Sequence, residues 1–383
     1  MDRLFIDVGP LHEAEFTGIP HVAAKLCEHV LGDGGVEPGF FYNRQIVPAK
    51  LIEDVLKTRD GRLFHFAVQR YRMAPNLPRL GGRSAGLHVN VKQTRRLFPI
   101  EGQIVHDLTT VITPQYHTPG SVAHHQGRYY GDLMSNDVTF CVSEATAADV
   151  RTYFPETPGP VIVAPLGVDW DHIDAETRSA VHDVEDYVFV LGTLEPRKNV
   201  LDLIELIARH PELAQRHRFV FGGRVGWGDS FERLVSDRGL GHLLDRRRIF
   251  RAGFVSEAAK YLLVKNAAAV VYPSVYEGFG LPVAEALSLG VPVVTTSSAS
   301  LPEVGGDLAH YFVPGDTASL SRALRAALAQ GRVTHGRGGI PREEWMARFT
   351  WAKFYGVIKQ GLLGAPSAPA ADVPSEETAY VHC

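Results

Sequence analysis

The chain has 383 residues, enough for two or three domains at roughly 100–200 residues each. Apolar residues make up 45% and charged residues 21%, the balance of a soluble globular protein, and no run of about 18 apolar residues offers a membrane span. Lys plus Arg number 39 against 43 Asp plus Glu, a net charge of -4, which excludes a general nucleic-acid binder. Cys27, Cys141 and Cys383 are few, odd in number and far apart, so they form neither a metal motif nor a disulfide framework. With no signal-peptide stretch in MDRLFIDVG, the reading is a reducing cytoplasm.

In the first half, strands are expected over 4–8, 63–68, 103–106, 138–142 and 161–165, with helices over 21–31 and 145–153. Residues 61–100 contain no Asp or Glu but hold Arg62, Arg70, Arg72, Arg79, Arg83, Lys92, Arg95 and Arg96. That window is either balanced by acids elsewhere or a positive patch for an anionic acceptor or membrane surface, through which the chain would lie peripherally on the inner face of a membrane. The acidic stretch 169–186 reads as an interdomain connection.

In the second half, strands over 187–192, 218–222, 248–251, 268–272, 291–295 and 309–312 alternate with helices over 200–209, 230–238, 258–266, 282–289 and 319–330. This alternation predicts an α/β fold of two doubly wound parallel sheets facing each other across a cleft, where ligands bind beyond the strand carboxyl ends. The expected divisions are a first domain over 1–170 and a second over 171–345. A last helix within 342–363 and a Pro-, Ala- and Ser-rich disordered tail over 365–383 follow.

Three segments carry chemistry. In VYPSVYEGFGLPVAEALSL (271–289) a strand leads into a loop with Glu277, Gly278 and Gly280, then a helix with Pro282 in its first turn and Glu285 one turn on. Both carboxylates can face one cleft, and the glycines and helix N-terminus suit an anion; a plain connection with a helix-dipole Glu is the other reading. In VFVLGTLEPRKNV (188–200), Arg197 and Lys198 follow a strand end and make a diphosphate site, unless they are only a solvated loop pair. The glycines of VFGGRVGWG (220–228) do not match a dinucleotide fingerprint and read as a tight strand exit beside a ligand.

These stretches resemble the retaining glycosyltransferases of family 4, which have the GT-B fold of two Rossmann-like domains. The matching residues are LGTLEPRKN (191–199), FGGRVGWG (221–228), GFVSEAA (253–259), residues 272–307 with the Glu-seven-residues-Glu signature at Glu277 and Glu285, and PGD (314–316). Sparser matches are FTGIPHVAAKL (16–26), VHDLTTVITPQYHT (105–118), VSEATAADV (142–150) and PLGVD (165–169). TW at 350–351 is similar to the motif of a last helix, here 346–364, that returns to the first domain.

The resemblance implies that Arg197, Lys198 and Gly18 serve the donor diphosphate, with the backbone of Gly278, Phe279 and Gly280. It implies that Glu277 and His106 meet the transferred sugar, Glu285 the ribose, and Phe254 and Val255 the base. His106, Asp107, Glu277 and Lys198 are the catalytic candidates; for His106 alone, a satisfied core histidine is the other reading. Two departures stand out: Thr193 follows Gly192 where many relatives carry Arg, and Pro20 and His21 stand where Arg is common.

The implied reaction moves a hexose from a nucleotide diphosphate sugar to a glycan or lipid-linked hydroxyl acceptor, with retention and no metal or other cofactor. GDP-mannose is the first donor expectation and a UDP-sugar the alternative; a non-catalytic nucleotide-sugar-binding protein of the same fold is the third reading.

Overall fold

The computed structural model describes residues 1–14, 16–70, 83–180, 186–224, 226–228 and 230–364, with only the backbone of 68–70. The tail at 365–383 lies outside the described residues, as do Arg72, Arg79 and part of the acidic connection.

Two sheets form. The first contains β1 (Asp2–Asp7), β2 (Val36–Tyr42), β3 (Gln45–Ile46), β4 (Ser84–His88), β5 (Ile100–Val105), β6 (Val138–Cys141) and β7 (Val161–Val163). Its order is β3-β2-β1-β4-β5-β6-β7, parallel throughout except for the β2–β3 hairpin. The second contains β8 (Tyr187–Leu191), β9 (Arg218–Gly222), β10 (Ile249–Gly253), β11 (Ala269–Tyr272), β12 (Val293–Thr296) and β13 (His310–Phe312). Its order is β10-β9-β8-β11-β12-β13, all parallel.

Both faces of these sheets are buried, which is why their strands read as continuous apolar runs. In β8, Val188 and Val190 pack into one core with Leu203, Ile204 and Ile207 of the helix Val200–Arg209, while Tyr187 and Phe189 enter the other. Strand order reverses between β1 and β4 and between β8 and β11, and these switch points open crevices at the strand carboxyl ends.

Residues 63–68 are not a strand but part of the helix Gly61–Arg70. A short apolar run does not distinguish the two by periodicity. Here Phe64 is buried while Leu63 and Phe66 remain exposed, and Asp60 accepts from the Arg62 backbone N–H at the helix start. Three strands went unread: β2, its two-residue partner β3, and β4. β2 carries Pro38 and Gly39, tolerated because its hairpin partner β3 reaches only Phe41 and Tyr42, so Pro38 lies on an effective edge. β4, SAGLH, has little apolar bulk yet is wholly buried in the sheet centre.

The basic window is largely neutralised where described. Arg62 pairs with Asp60, Lys92 with Glu101, Arg95 with Asp132 and Arg96 with Asp137. No helix of the described residues is long and apolar enough to cross a membrane.

The last helical segment is two helices. Arg342–Met346 belongs to the second domain, where Trp345 donates to the Val304 carbonyl at 2.8 Å. Trp351–Leu363, capped by Thr350, packs on the helix Ile19–Gly32 and on β5 and β6 of the first. The break lets the chain change domains. There Val168 N–H bonds the Phe349 carbonyl at 3.1 Å, so the two interdomain crossings lie side by side.

Candidate active site in the interdomain cleft

A cleft of about 400 Å³ opens between the carboxyl ends of the two sheets. Its first-domain wall includes Gly18, His106 and Asp107; its second includes Lys198, Phe254, Val255, Glu277, Gly278, Phe279, Gly280 and Glu285. Eleven of the twelve residues singled out in the sequence therefore meet on one surface. The twelfth, Arg197, does not line it. It borders an adjoining cavity, with its guanidinium bound to the Tyr276 carbonyl at 2.7 Å, Glu195 at 3.0 Å and Glu277 at 3.0 Å. Arg197 and Lys198 end one 3-10 turn, Pro196–Lys198, and adjacent residues on a turn point in different directions. Its expected place on the donor diphosphate is thus not supported by the geometry; Arg197 instead buttresses Glu277.

Lys198 Nζ donates to Glu277 Oε1 and to the Tyr272 hydroxyl, each at 2.6 Å, and Ser274 also donates to Glu277. Burial alone raises the Glu277 carboxyl, but the Lys198 and Arg197 charges outweigh it and hold the group down at about 2. Burial draws the Lys198 ammonium below its ordinary value, with Glu277 opposing that shift.

The loop from β11 explains both glycines. A Cβ on Gly278 would lie 1.7 Å from the His106 carbonyl oxygen, so the two domains touch there only because no side chain intervenes. Gly280 has φ +98°, a left-handed conformation that favours glycine, and it opens the helix Leu281–Ser288. Phe279 is buried, its ring centroid 5.6 Å from that of Phe349.

His106 Nε2 donates to the Val89 carbonyl at 2.8 Å, which leaves Nδ1 without its proton in the neutral ring. Burial lowers its pKa and favours that neutral form. Asp107 Oδ1 accepts from both the backbone N–H and the hydroxyl of Thr109. On the far wall, Lys260 bridges Glu285 at 2.7 Å and Glu257 at 2.9 Å.

Sequence reasoning missed Lys260, Glu257 and Arg224, all on the cleft wall. Arg224 sits in the glycine-rich stretch after β9, its guanidinium 5.0 Å from the Phe254 ring centroid. It shares the wall with Thr193, so a cation is present beside the position where Thr193 replaces Arg. The departure at Pro20–His21 has a structural account: His21 packs between His172 and Trp351 at the domain crossings, with Arg59 donating to its Nδ1 at 3.0 Å. Among the described residues no three His, Cys, Asp or Glu side chains converge as a metal-ligand set.

Residues 174–336 match the family Glycosyl transferases group 1. The chain is 29% identical over 232 residues to O-antigen chain mannosyltransferase B of Escherichia coli, covering 58% of this chain and 60% of that protein. It is 26% identical over 214 residues to an MMP alpha-(1->4)-mannosyltransferase of Mycolicibacterium hassiacum, covering 55% of this chain and 50% of that one. The matches thus span less than two thirds of these relatives. In fold, the chain is similar to sucrose-phosphate synthase from Thermosynechococcus elongatus, with TM-score 0.64 and 19% identity over 94% of this chain and 98% of that one. It is also similar to Anabaena HepE, solved with UDP and glucose, with TM-score 0.55 and 15% identity over 95% and 100%. Two parallel-sheet domains enclosing this cleft make this a GT-B-fold chain, similar over residues 174–336 to the group 1 glycosyl transferases.

Proposed function

We propose that the chain is a retaining glycosyltransferase that moves a hexose from a nucleoside diphosphate sugar to a hydroxyl of a glycan or glycolipid. The observation that carries this reading is the convergence of Lys198, Arg224 and the N-terminus of the helix Leu281–Ser288 on one cleft that also presents Glu277 and Glu285. The diphosphate lies against the cations and the helix N-terminus. Glu285 accepts from the ribose hydroxyls once Lys260 yields, Glu277 accepts from hydroxyls of the hexose, and Phe254 and Val255 border the base. The mannosyltransferase relatives support mannose, and with it GDP-mannose, as donor; a UDP-sugar is the alternative.

In the reaction the bond from the anomeric carbon to the diphosphate oxygen breaks while an acceptor hydroxyl oxygen bonds that carbon from the same face. The acceptor proton passes to the departing diphosphate oxygen. Negative charge grows on the diphosphate, so fixed donors aimed at it act most strongly in the transition state. Lys198 and Arg224 supply that charge without a metal. Neutral His106 Nδ1 is an acceptor available at the cleft. An acceptor on a lipid would place the chain at a membrane, where Leu63 and Phe66 of the helix Gly61–Arg70 are apolar side chains open to contact.

Thermal-shift binding tests the donor site, with GDP-, UDP- and ADP-sugars, the free nucleotides and EDTA present. The expected result is a shift with one nucleotide class, unchanged by EDTA and lost in Lys198→Ala. No shift with any nucleotide overturns the reading, and a shift that requires a divalent cation overturns its metal independence.

A further inference from the structure

On the second-domain wall of the cleft, one ammonium is shared between two carboxylates. Lys260 Nζ, 5.3 Å from the centre of the Trp170 ring, bonds Glu285 Oε1 at 2.7 Å and Glu257 Oε2 at 2.9 Å. Glu285 is the carboxylate assigned above to the ribose hydroxyls, so whatever holds Lys260 decides how free Glu285 is. The same Glu257 Oε2 also meets His172 Nε2 at 3.2 Å. Two cationic side chains thus converge on one carboxylate oxygen, and a histidine can lose its charge near neutral pH. His172 does not line the cleft. It follows the first interdomain crossing, its side chain 5% exposed and its Nδ1 3.8 Å from Asp169 Oδ1. The other oxygen of Asp169 is held by Lys25 of the first domain at 3.0 Å.

The groups facing His172 single it out. Glu257 and Lys260 come from the helix Glu257–Asn266, and Asp169 and Trp170 from its own segment, with the Trp170 ring stacked at 6.2 Å. From the first domain come His21, its ring centroid 5.3 Å away, and Arg59, which donates to His21. Burial and the Arg59 charge push His21 down to about 3, so it stays neutral. Burial opposes ionisation of Glu257, yet His172 and Lys260 hold it at about 2. Burial also opposes the charge on Asp169 and on Lys260, and in both their ion-pair partners prevail. Burial alone would lower the His172 pKa, but its bonds to Asp169 and Glu257 hold it above the ordinary 6.5. With His172 protonated, Glu257 Oε2 is satisfied from two sides and Lys260 is left to Glu285. As pH rises past the His172 pKa, Lys260 becomes the one full cation on that oxygen, and Coulomb attraction shifts it from Glu285 toward Glu257.

We propose that His172 is a positioning residue for the donor ribose: through Glu257 it sets how firmly Lys260 holds Glu285, so loss of the His172 proton draws Lys260 away and opens Glu285 to the ribose hydroxyls. The inference rests on the reading of Glu285 as the ribose acceptor. It adds a proton-dependent control seated outside the cleft, at the interdomain crossing. By linkage, a ribose on Glu285 sends Lys260 to Glu257 and favours the neutral His172 ring.

The test measures Kd on the full chain for two pairs of probes, GDP with 2′,3′-dideoxy-GDP and UDP with 2′,3′-dideoxy-UDP, from about pH 6 to about pH 9. The ratio of the dideoxy Kd to the parent Kd reports the ribose hydroxyls alone, because base and diphosphate titrate alike in both members of a pair. For the pair that binds, the wild-type ratio is expected to rise about fivefold with pH, with its midpoint above 6.5, as part of one charge-assisted hydrogen bond is regained. In His172→Gln the ratio stays flat near the high-pH wild-type value, and in Glu257→Gln it stays flat near the low-pH value. A merely structural role would shift both members of a pair together and leave the pH dependence of the ratio in place. A wild-type ratio that is flat, falls with pH or turns below 6.5 overturns the proposal whether or not the variants fold. So does a rise retained in either folded variant. If neither GDP nor UDP binds the wild type, the donor reading fails and this inference with it; a flat ratio beside clear GDP or UDP binding fails this inference alone.

Discussion

Lys198 and Glu277 are each other's main partner in the cleft. Under the proposed function, a donor sugar engaging Glu277 would meet a carboxylate already held by Lys198, Arg197 and Ser274, a site preorganised before the ligand arrives. The same pairing ties stability to pH. The Glu277 carboxyl sits at about 2 in the folded chain against an ordinary 4.5. Its contribution is therefore complete above about 4.5 and is lost as pH falls toward 2. Urea midpoints followed from pH 6 down to 3 are expected to fall less steeply in Glu277→Gln than in wild type; equal slopes would show that the carboxyl is not depressed. At this scale the sequence was legible where one short segment brings two carboxylates to the same cleft wall, as in Glu277 and Glu285. It was not legible where direction mattered: nothing in Arg-Lys says that Lys198 faces the cleft while Arg197 turns to Glu195. Arg224 and Lys260 escaped because only the packing of β9 and of the helix Glu257–Asn266 beside the β11 loop brings them to the same wall.

The helix Glu144–Tyr153 shows how an element of one domain is completed by the other. Its first backbone N–H groups, on Glu144 and Ala145, donate to the two carboxylate oxygens of Glu303 in the second domain at 2.8 and 2.7 Å. Thr146 donates to the Gly278 carbonyl at 3.2 Å, and the Tyr276 hydroxyl contacts Asp149 in the same interface. A carboxylate at a helix N-terminus satisfies unpaired donors and the helix dipole together. Glu303→Ala is expected to weaken this interdomain contact by about 1–2 kcal/mol, read as a raised donor KM and a larger radius of gyration, with Glu303→Gln recovering part of the loss. An unchanged radius and KM would mean that the contact does not hold the cleft closed. Such a cap was beyond sequence reading, since its partners are more than 150 positions apart. Elements were legible where apolar runs or amphipathic periods were strong, as in β9 and the helix Val200–Arg209. They were not where Pro and Gly interrupted an edge strand, as in β2, or where a short run fitted both periods, as in the helix Gly61–Arg70.

Across the molecule, the chain passes between domains twice, and the passages brace each other. A Cβ on Gly167 would lie 2.2 Å from the Trp351 backbone nitrogen, so the first crossing fits beneath the second only as glycine. Around them Lys25 reaches Asp169 at 3.0 Å and His172 reaches Glu257 at 3.2 Å, tying helix, connection and second domain together. Gly167→Ala is expected to destabilise the chain by about 1–3 kcal/mol through overpacking, seen as a lower urea midpoint. An unshifted midpoint would show the crossings to be loosely packed. The two-sheet architecture followed from strand–helix alternation, whereas this braced crossing depends on contacts between residues some 180 apart and has no local signature.

The helix Trp351–Leu363 also sets an order of events during synthesis. The first sheet is complete in sequence at Val163, but the helix that covers β5 and β6 has not yet been made. Ribosomes add about 5–20 residues per second, so residues 164–350 take roughly 10–40 s to emerge. During that interval the stripe later filled by Ile358 and Leu362, beside Ile104 and Phe140, stays open to water while the second domain can finish folding. The domain translated first is thus the last to close, and a nascent chain released before Trp351 keeps a sticky face for good.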